Sequence, residues 1–142
     1  MQNRTEDRKF LVFEVHGMRY ALDLEQIAEV ADPLPGWPVP LAPSCCTGAV
    51  QIHGAIVAVI DLAAFLGFEQ CARPEKMIVL SKDLAALAFL VTRVIRIVSE
   101  REVQVHDTAE NDFACSRLTL PDGEIFLLDV IKIILAAEDI MK

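Results

Sequence analysis

Hydrophobic and polar positions along this chain follow two rhythms. From Gly48 to Gly67 (GAVQIHGAIVAVIDLAAFLG) a strand alternates through Val50 and Ile52 and turns at His53-Gly54. It continues as a second apolar strand, Ile56 to Ile60. Asp61 then stands where a helix should begin, Leu62, Phe65 and Leu66 give that helix an apolar face, and Gly67 stops it. The same order returns from Ser116 to Leu135 (SRLTLPDGEIFLLDVIKIIL). The offset, Asp129 minus Asp61, is 68, and it sets Val50 on Leu118, Ile52 on Leu120, Val57 on Ile125 and Val59 on Leu127.

The opening elements of the two halves also correspond. Phe10 to Val15 begins the first half and Met77 to Ser81 the second. A turn follows each (His16-Gly17, then Lys82-Asp83), and then a further strand, Arg19 to Asp23 or Leu87 to Arg93. Ile27 to Val30 and Val94 to Val98 come next, at an offset of 67 or 68. Two copies are too few for a solenoid. They suit two small closed barrels side by side, because closure removes the exposed edges of short strands. The expectation is therefore a mostly β protein of two tandem five-stranded barrels packed together, with short helices and a C-terminal helix.

Between these elements, Pro33, Pro35, Pro38, Pro40 and Pro43 crowd one stretch. Each lacks an amide donor, so the stretch reads as an extended surface connection, with Trp37 pinned against a barrel. Glu69 to Glu75 reads as a polar link and Asp107 to Asp112 as an acidic loop. Asp129 is a helix N-cap candidate, since its carboxylate can accept from free first-turn amides. Lys132 at the third helical position rules out a capping box. Ile131, Ile134, Leu135 and Ile140 give the last helix a face that packs back onto a barrel.

Composition narrows the function. The 142 residues are 54% hydrophobic, enough for a sizeable core. Apolar runs such as Leu84 to Val91 fall far short of the roughly 18 residues of a membrane span. The start, MQNRTEDRKF, has no apolar stretch and reads as a tail over residues 1–8, not a signal peptide. A soluble, cytoplasmic chain is expected. The net charge of −8 argues against nucleic acid and against insertion at an anionic membrane surface.

Candidate chemistry is sparse. The four cysteines, at 45, 46, 71 and 115, form no CxxC pair, and no disulfide framework, metal or cofactor is expected. A vicinal Cys45-Cys46 disulfide would be strained. His16 reads as a solvated turn residue, His106 as part of a charged loop, and His53 as the tip of the central hairpin. Asp61 and Asp129 suggest a carboxylate pair at first sight, but their equivalent places in a repeat make each a helix cap. A small thiol-dependent enzyme using Cys45 or Cys46, together with His53, stays open as an alternative of a different class.

Taken in order, several segments resemble the CheW-like family of bacterial chemotaxis adaptors. They are Phe10-Leu11-Val12-Phe13 with Tyr20-Ala21-Leu22, then Glu29-Val30, then Val39-Pro40 with Ala42-Pro43. Gly48-Ala49-Val50, Ile52-His53-Gly54 and Val57 through Leu62 resemble the signature hairpin, and Leu90-Val91 with Val94 its second-half counterpart. The resemblance spans about residues 9–138. It implies a pair of SH3-like barrels, the first over about 16–75 and the second over about 76–128, and it allows for exchange of terminal strands or helix between them. It also implies a non-enzymatic adaptor coupling a methyl-accepting chemoreceptor's cytoplasmic tip to the regulatory domain of a CheA-type histidine kinase. Barrel ends would dock on barrel ends, with the receptor's helical hairpin in the groove between the barrels. A coupler for another kinase pathway, such as surface motility, is the alternative within the family.

The chain departs from the family pattern at His53, where an Arg is usual, at Ala58, where a Pro is usual, and at Thr92, where an Asp is usual. Arg is permanently charged and His is not. The expected partner-binding residues are Ile27, Glu29, Gly48, His53 and Gly54, with Glu29 and His53 facing each other near the receptor groove and Ile27 adding apolar contact.

Overall fold

The computed structural model describes residues 8–71, 73–107 and 113–140. The tail expected over 1–8 (apart from Arg8) and the acidic loop expected over 107–112 (apart from Asp107) lie outside them. The first half supplies β1 (Lys9–Val15), β2 (Met18–Asp23), β3 (Ile27–Ala31), β4 (Cys46–Ile52), β5 (Ala55–Asp61) and a single helical turn, α1 (Leu62–Phe65). The second supplies β6 (Lys76–Leu80), β7 (Leu87–Val91), β8 (Arg93–Ser99), β9 (Gln104–Asp107), β10 (Ala114–Leu120), β11 (Gly123–Leu128) and α2 (Val130–Ile140). The chain is mostly β, in two sheets.

The two halves have traded their opening hairpins. One sheet runs β8-β1-β2-β11-β10-β9 and the other β3-β6-β7-β5-β4. The β1–β2 hairpin thus lies among second-half strands, and β6–β7 among first-half strands. Each hairpin joins its host in the same way: β1 is antiparallel to β8 and β2 parallel to β11, as β6 is antiparallel to β3 and β7 parallel to β5.

Burial explains why these hairpins are the shared elements. Along β1, Phe10 and Val12 enter the core of one sheet, while Leu11, Phe13 and Val15 enter the larger core between the sheets. Along β6, Met77 and Val79 face one core, and Ile78 and Leu80 the other. A strand buried on both faces reads as a continuous apolar run, which is how FLVF and MIVL read. Strands with one wet face keep the period-2 alternation, as β10 does with buried Ala114, Ser116, Leu118 and Leu120.

The turns follow their residues. His16-Gly17 and His53-Gly54 both have positive φ at each position (52°, 75° and 49°, 83°), as a two-residue hairpin turn matched to strand twist requires. His16 is not merely solvated: its ring stacks on Phe68 at 4.6 Å between centroids. Trp37 is held by its backbone, which exchanges hydrogen bonds of 3.0 and 2.9 Å with Ala49, while its side chain stays half exposed. The long strand expected over Leu87 to Arg93 is interrupted at Thr92, whose amide donates to the Glu14 carbonyl at 3.0 Å. Helix α2 packs on the shared core through Val130, Ile133, Ile134 and Ala137; of the face expected from Ile131, Ile134, Leu135 and Ile140 only Ile134 is buried, and the other three are exposed.

Candidate functional site

The sheet containing β3 has two edges, β3 and β4, with no backbone ladder between them. A side-chain bond spans the gap. Glu29 lies on β3 opposite Val79, just past a bulge at Ala28. His53 sits in the β4–β5 turn, where Ile52 pairs with Ala55. Imidazole Nε2 and Glu29 Oε1 are 2.7 Å apart. His53 is 81% exposed and Glu29 36%, so solvent screens the pair, and such contacts contribute about 0–1 kcal/mol.

Beneath this bond a groove of about 440 Å³ opens between β3, the β4–β5 tip and the β6–β7 loop. Ile52, Val57, Val79 and Leu87 make its floor apolar, while Lys82 and Asp83 join Glu29 and His53 as charged groups on its lining.

The other sheet carries the equivalent contact. Arg96, at an offset of 67 from Glu29, lies on β8 opposite Val12 and just past the same bulge. The β10–β11 turn places Asp122 at its tip, since Leu120 pairs with Gly123. Arg96 Nη2 and Asp122 Oδ1 are 3.5 Å apart, and Arg19 Nη1 reaches Asp122 Oδ2 at 3.1 Å. A backbone hydrogen bond at Asp122, followed by the Arg19 guanidinium, holds this carboxyl below the usual carboxylate range. The edge strand is therefore acidic in one sheet and basic in the other. Aligning Glu29 with Arg96 at the offset of 67 would have exposed this pair in the sequence; Pro121-Asp122 in place of His53-Gly54 hid it.

The remaining candidate residues are placed as follows. Ile27 is half-buried and packs on the core between the sheets, not in the groove. Gly54 supplies the second positive φ of the His53 turn. Gly48 has φ +149°, and a Cβ there would meet the Trp37 carbonyl oxygen at 2.7 Å, so this glycine admits the Pro-rich connection against β4. Asp61 is buried; its carboxylate accepts from the amides of Ala64 (3.3 Å) and Cys71 (2.9 Å). Asp129 accepts from the Lys132 amide at 3.2 Å. Cys45 is buried, and burial pushes its thiol pKa up, which disfavours the thiolate a nucleophile needs. Cys46 Sγ donates to the Gly48 carbonyl at 3.8 Å. Among the described residues there is no cluster of His, Cys, Asp and Glu that could hold a metal ion, and no helix long and apolar enough to cross a membrane.

Comparison with known proteins agrees with this architecture. Residues 9–138 match the family model of the CheW-like domain. The chain is 30% identical over 130 residues to the chemotaxis protein CheW of Thermotoga maritima, covering 87% of this chain and 85% of that one. It is 24% identical over 110 residues to the chemotaxis protein CheW of Rhizobium meliloti, covering 75% and 71%. The crystal structure of the scaffolding protein TtCheW from Thermoanaerobacter tengcongensis superposes with a TM-score of 0.73 at 19% identity, over 87% of this chain and 89% of that one. The fold is thus the double β-sheet architecture of that protein. The chain belongs to the CheW-like domain family.

Proposed function

We propose that this chain is a non-enzymatic coupling protein of a chemotaxis array, working in the cytoplasm. It joins the cytoplasmic tip of a methyl-accepting chemoreceptor to the regulatory domain of a CheA-type histidine kinase. Family membership and chemotaxis relatives support the role. The observation that carries it is the pair of equivalent contacts of reversed polarity, with the carboxylate of Glu29 on the edge strand of one sheet and the guanidinium of Arg96 on that of the other. One rigid body with two equivalent edge strands, one presenting an acidic and the other a basic side chain, can hold two different partners, because like charges brought together at an interface are disfavoured.

Glu29, His53 and Gly54 form the receptor-side edge in this reading, with the apolar groove beneath them. Ile27 and Gly48 act behind it, Ile27 from the core and Gly48 by seating the Pro-rich connection.

The test is binding of the full chain to an immobilised receptor-tip fragment and, separately, to the kinase regulatory domain. Both should bind, and Glu29→Ala should weaken the receptor arm more than the kinase arm. Absence of both interactions at micromolar concentrations would refute the role.

A further inference from the structure

The Pro-rich connection between β3 and β4 lies outside both charged contacts. It carries Leu34-Pro35 and Trp37-Pro38, two dipeptides of an apolar residue and a proline, separated by Gly36. Leu34 and Trp37 are 45% and 50% exposed, and both prolines are exposed beside them. The backbone makes the attachment, through the two hydrogen bonds that Trp37 exchanges with Ala49 on the free edge of β4. The apolar side chains are thus left outside a body that is already held together.

The spacing decides which way they face. Proline fixes φ near about −65° and holds the residue before it to extended or polyproline II backbone. That helix has about three residues per turn, so positions 34 and 37 fall in one row, 35 and 38 in a second, and Gly36 in the third. Gly36 is the residue turned to the sheet. A Cβ there would collide with the Ala49 carbonyl oxygen and meet Val50 Cγ1 at 2.9 Å. The third row is seated against β4, and the two rows made by the dipeptides face away from it.

We propose that Leu34 to Pro38 is a docking strip for a partner protein with a shallow groove lined by Trp and Tyr, one dipeptide filling each of two slots. Grooves of this kind read one side of a polyproline II segment, and here only one side is open. Prolines supply carbonyl acceptors without amide donors, which suits the indole N–H and phenol O–H donors of such a groove. Attachment to β4 sets the strip in place beforehand, so a partner meets less ordering cost than with a free peptide. From Pro33 to Ile52 the chain carries no Asp, Glu, Lys or Arg, although 24% of its residues are charged, so the fitting surface is apolar and aromatic. An anionic membrane does not suit a strip without cations on a chain of net charge −8. A second copy cannot supply the groove: the single tyrosine, Tyr20, is buried, and the single tryptophan is Trp37 itself. This strip goes beyond the coupling role and stands without it.

NMR on the isotope-labelled full chain tests it, because one tryptophan gives one indole N–H signal. Unlabelled SH3 and WW domains, whose aromatic grooves take such dipeptides, are the probes. The Trp37 indole and Leu34 amide signals should shift saturably, and a short polyproline peptide should reverse the shift. Pro35→Ala with Pro38→Ala should weaken binding by about ten-fold or more, as truncation of anchor residues does. That variant should still bind the receptor-tip and kinase fragments as the parent does. Leu41→Asn removes a fully exposed leucine at φ +61°, which Asn tolerates, and keeps both dipeptides; it should bind the domains like the parent. Signals unmoved by every domain at about 1 mM overturn the proposal. So does a shift that polyproline fails to reverse, or an equal loss from Leu41→Asn, which would mark general apolar adhesion. Indole signals that respond to phosphatidylcholine vesicles or to dilution of the chain, and not to the domains, overturn it in favour of a lipid or a second copy.

Discussion

Arg96 occupies on β8 the place that Glu29 occupies on β3, each just past a bulge and each bonded to the tip of the following hairpin, with the charge reversed. A duplicated fold has thereby acquired two distinguishable ends. The difference rests on exposed groups, which tune partner choice and encounter rate more than they stabilise the fold.

That asymmetry predicts separable losses. Arg96→Glu should slow association at the second end while leaving the first unchanged, and Glu29→Lys should do the reverse. A change of about five-fold in association rate at low salt, shrinking as salt is raised, is expected for rim charges of this kind. Surface plasmon resonance with each partner fragment at two ionic strengths measures it. Equal loss toward both partners from either variant would contradict two independent ends.

Gly48→Ala should destabilise the chain by about 1–3 kcal/mol. The new Cβ meets the Trp37 carbonyl oxygen at 2.7 Å, at a backbone angle of +149° that L-residues rarely adopt. Urea denaturation should show a lower midpoint with an unchanged slope. Gly54→Ala, where a Cβ meets open space, should carry only the strain of its positive φ.

The two helix caps should not be equivalent. Asp61→Ala removes a buried acceptor shared by the Ala64 and Cys71 amides and should cost about 2–3 kcal/mol. Asp129→Ala removes a contact to the Lys132 amide and should cost about 1 kcal/mol. Thermal melts of both variants give the ranking, and a larger loss at Asp129 would contradict it.

Acid should loosen two surface ties in particular. The Lys76 ammonium, 2.8 Å away, holds the Asp32 carboxyl below its usual range, and Asp122 is held down by its backbone hydrogen bond and by Arg19. Carboxyls depressed in the folded state stabilise it fully above their unfolded values, near pH 4, and this is lost as pH falls through the lower folded values. Asp32→Asn and Asp122→Asn should each flatten the acid side of the stability–pH curve and leave its slope above pH 6 unchanged.

The thiols should react in order of exposure. Cys115 is exposed, whereas Cys45 is buried with its pKa raised by burial. Mass spectrometry after brief alkylation at neutral pH should find Cys115 modified well before Cys45. Early labelling of Cys45 would revive a thiol-based chemistry.

Much of this architecture was legible in the chain. The repeated strand–turn–strand–Asp–helix unit stands out because turn residues and period-2 alternation are local properties. The exchange of hairpins was not legible in the same way: whether β1 pairs with β8 or with β3 depends on long-range packing. Its trace was the unbroken FLVF and MIVL runs, which mark strands buried on both faces. At the site, Glu29 and His53 could be brought together through the family resemblance, but Arg96–Asp122 could not, because its tip residues differ from those of the first half. Trp37 is pinned against β4 as its place among the prolines suggested, though by its backbone and not by its ring.

The most direct measurement is a sedimentation experiment on a mixture of the full chain, a receptor-tip fragment and the kinase regulatory domain. A coupling protein with two independent ends predicts one faster species containing all three components, formed without either partner lowering the other's occupancy. Mutual displacement of the two fragments, or sedimentation of the chain unaltered by both, would contradict it.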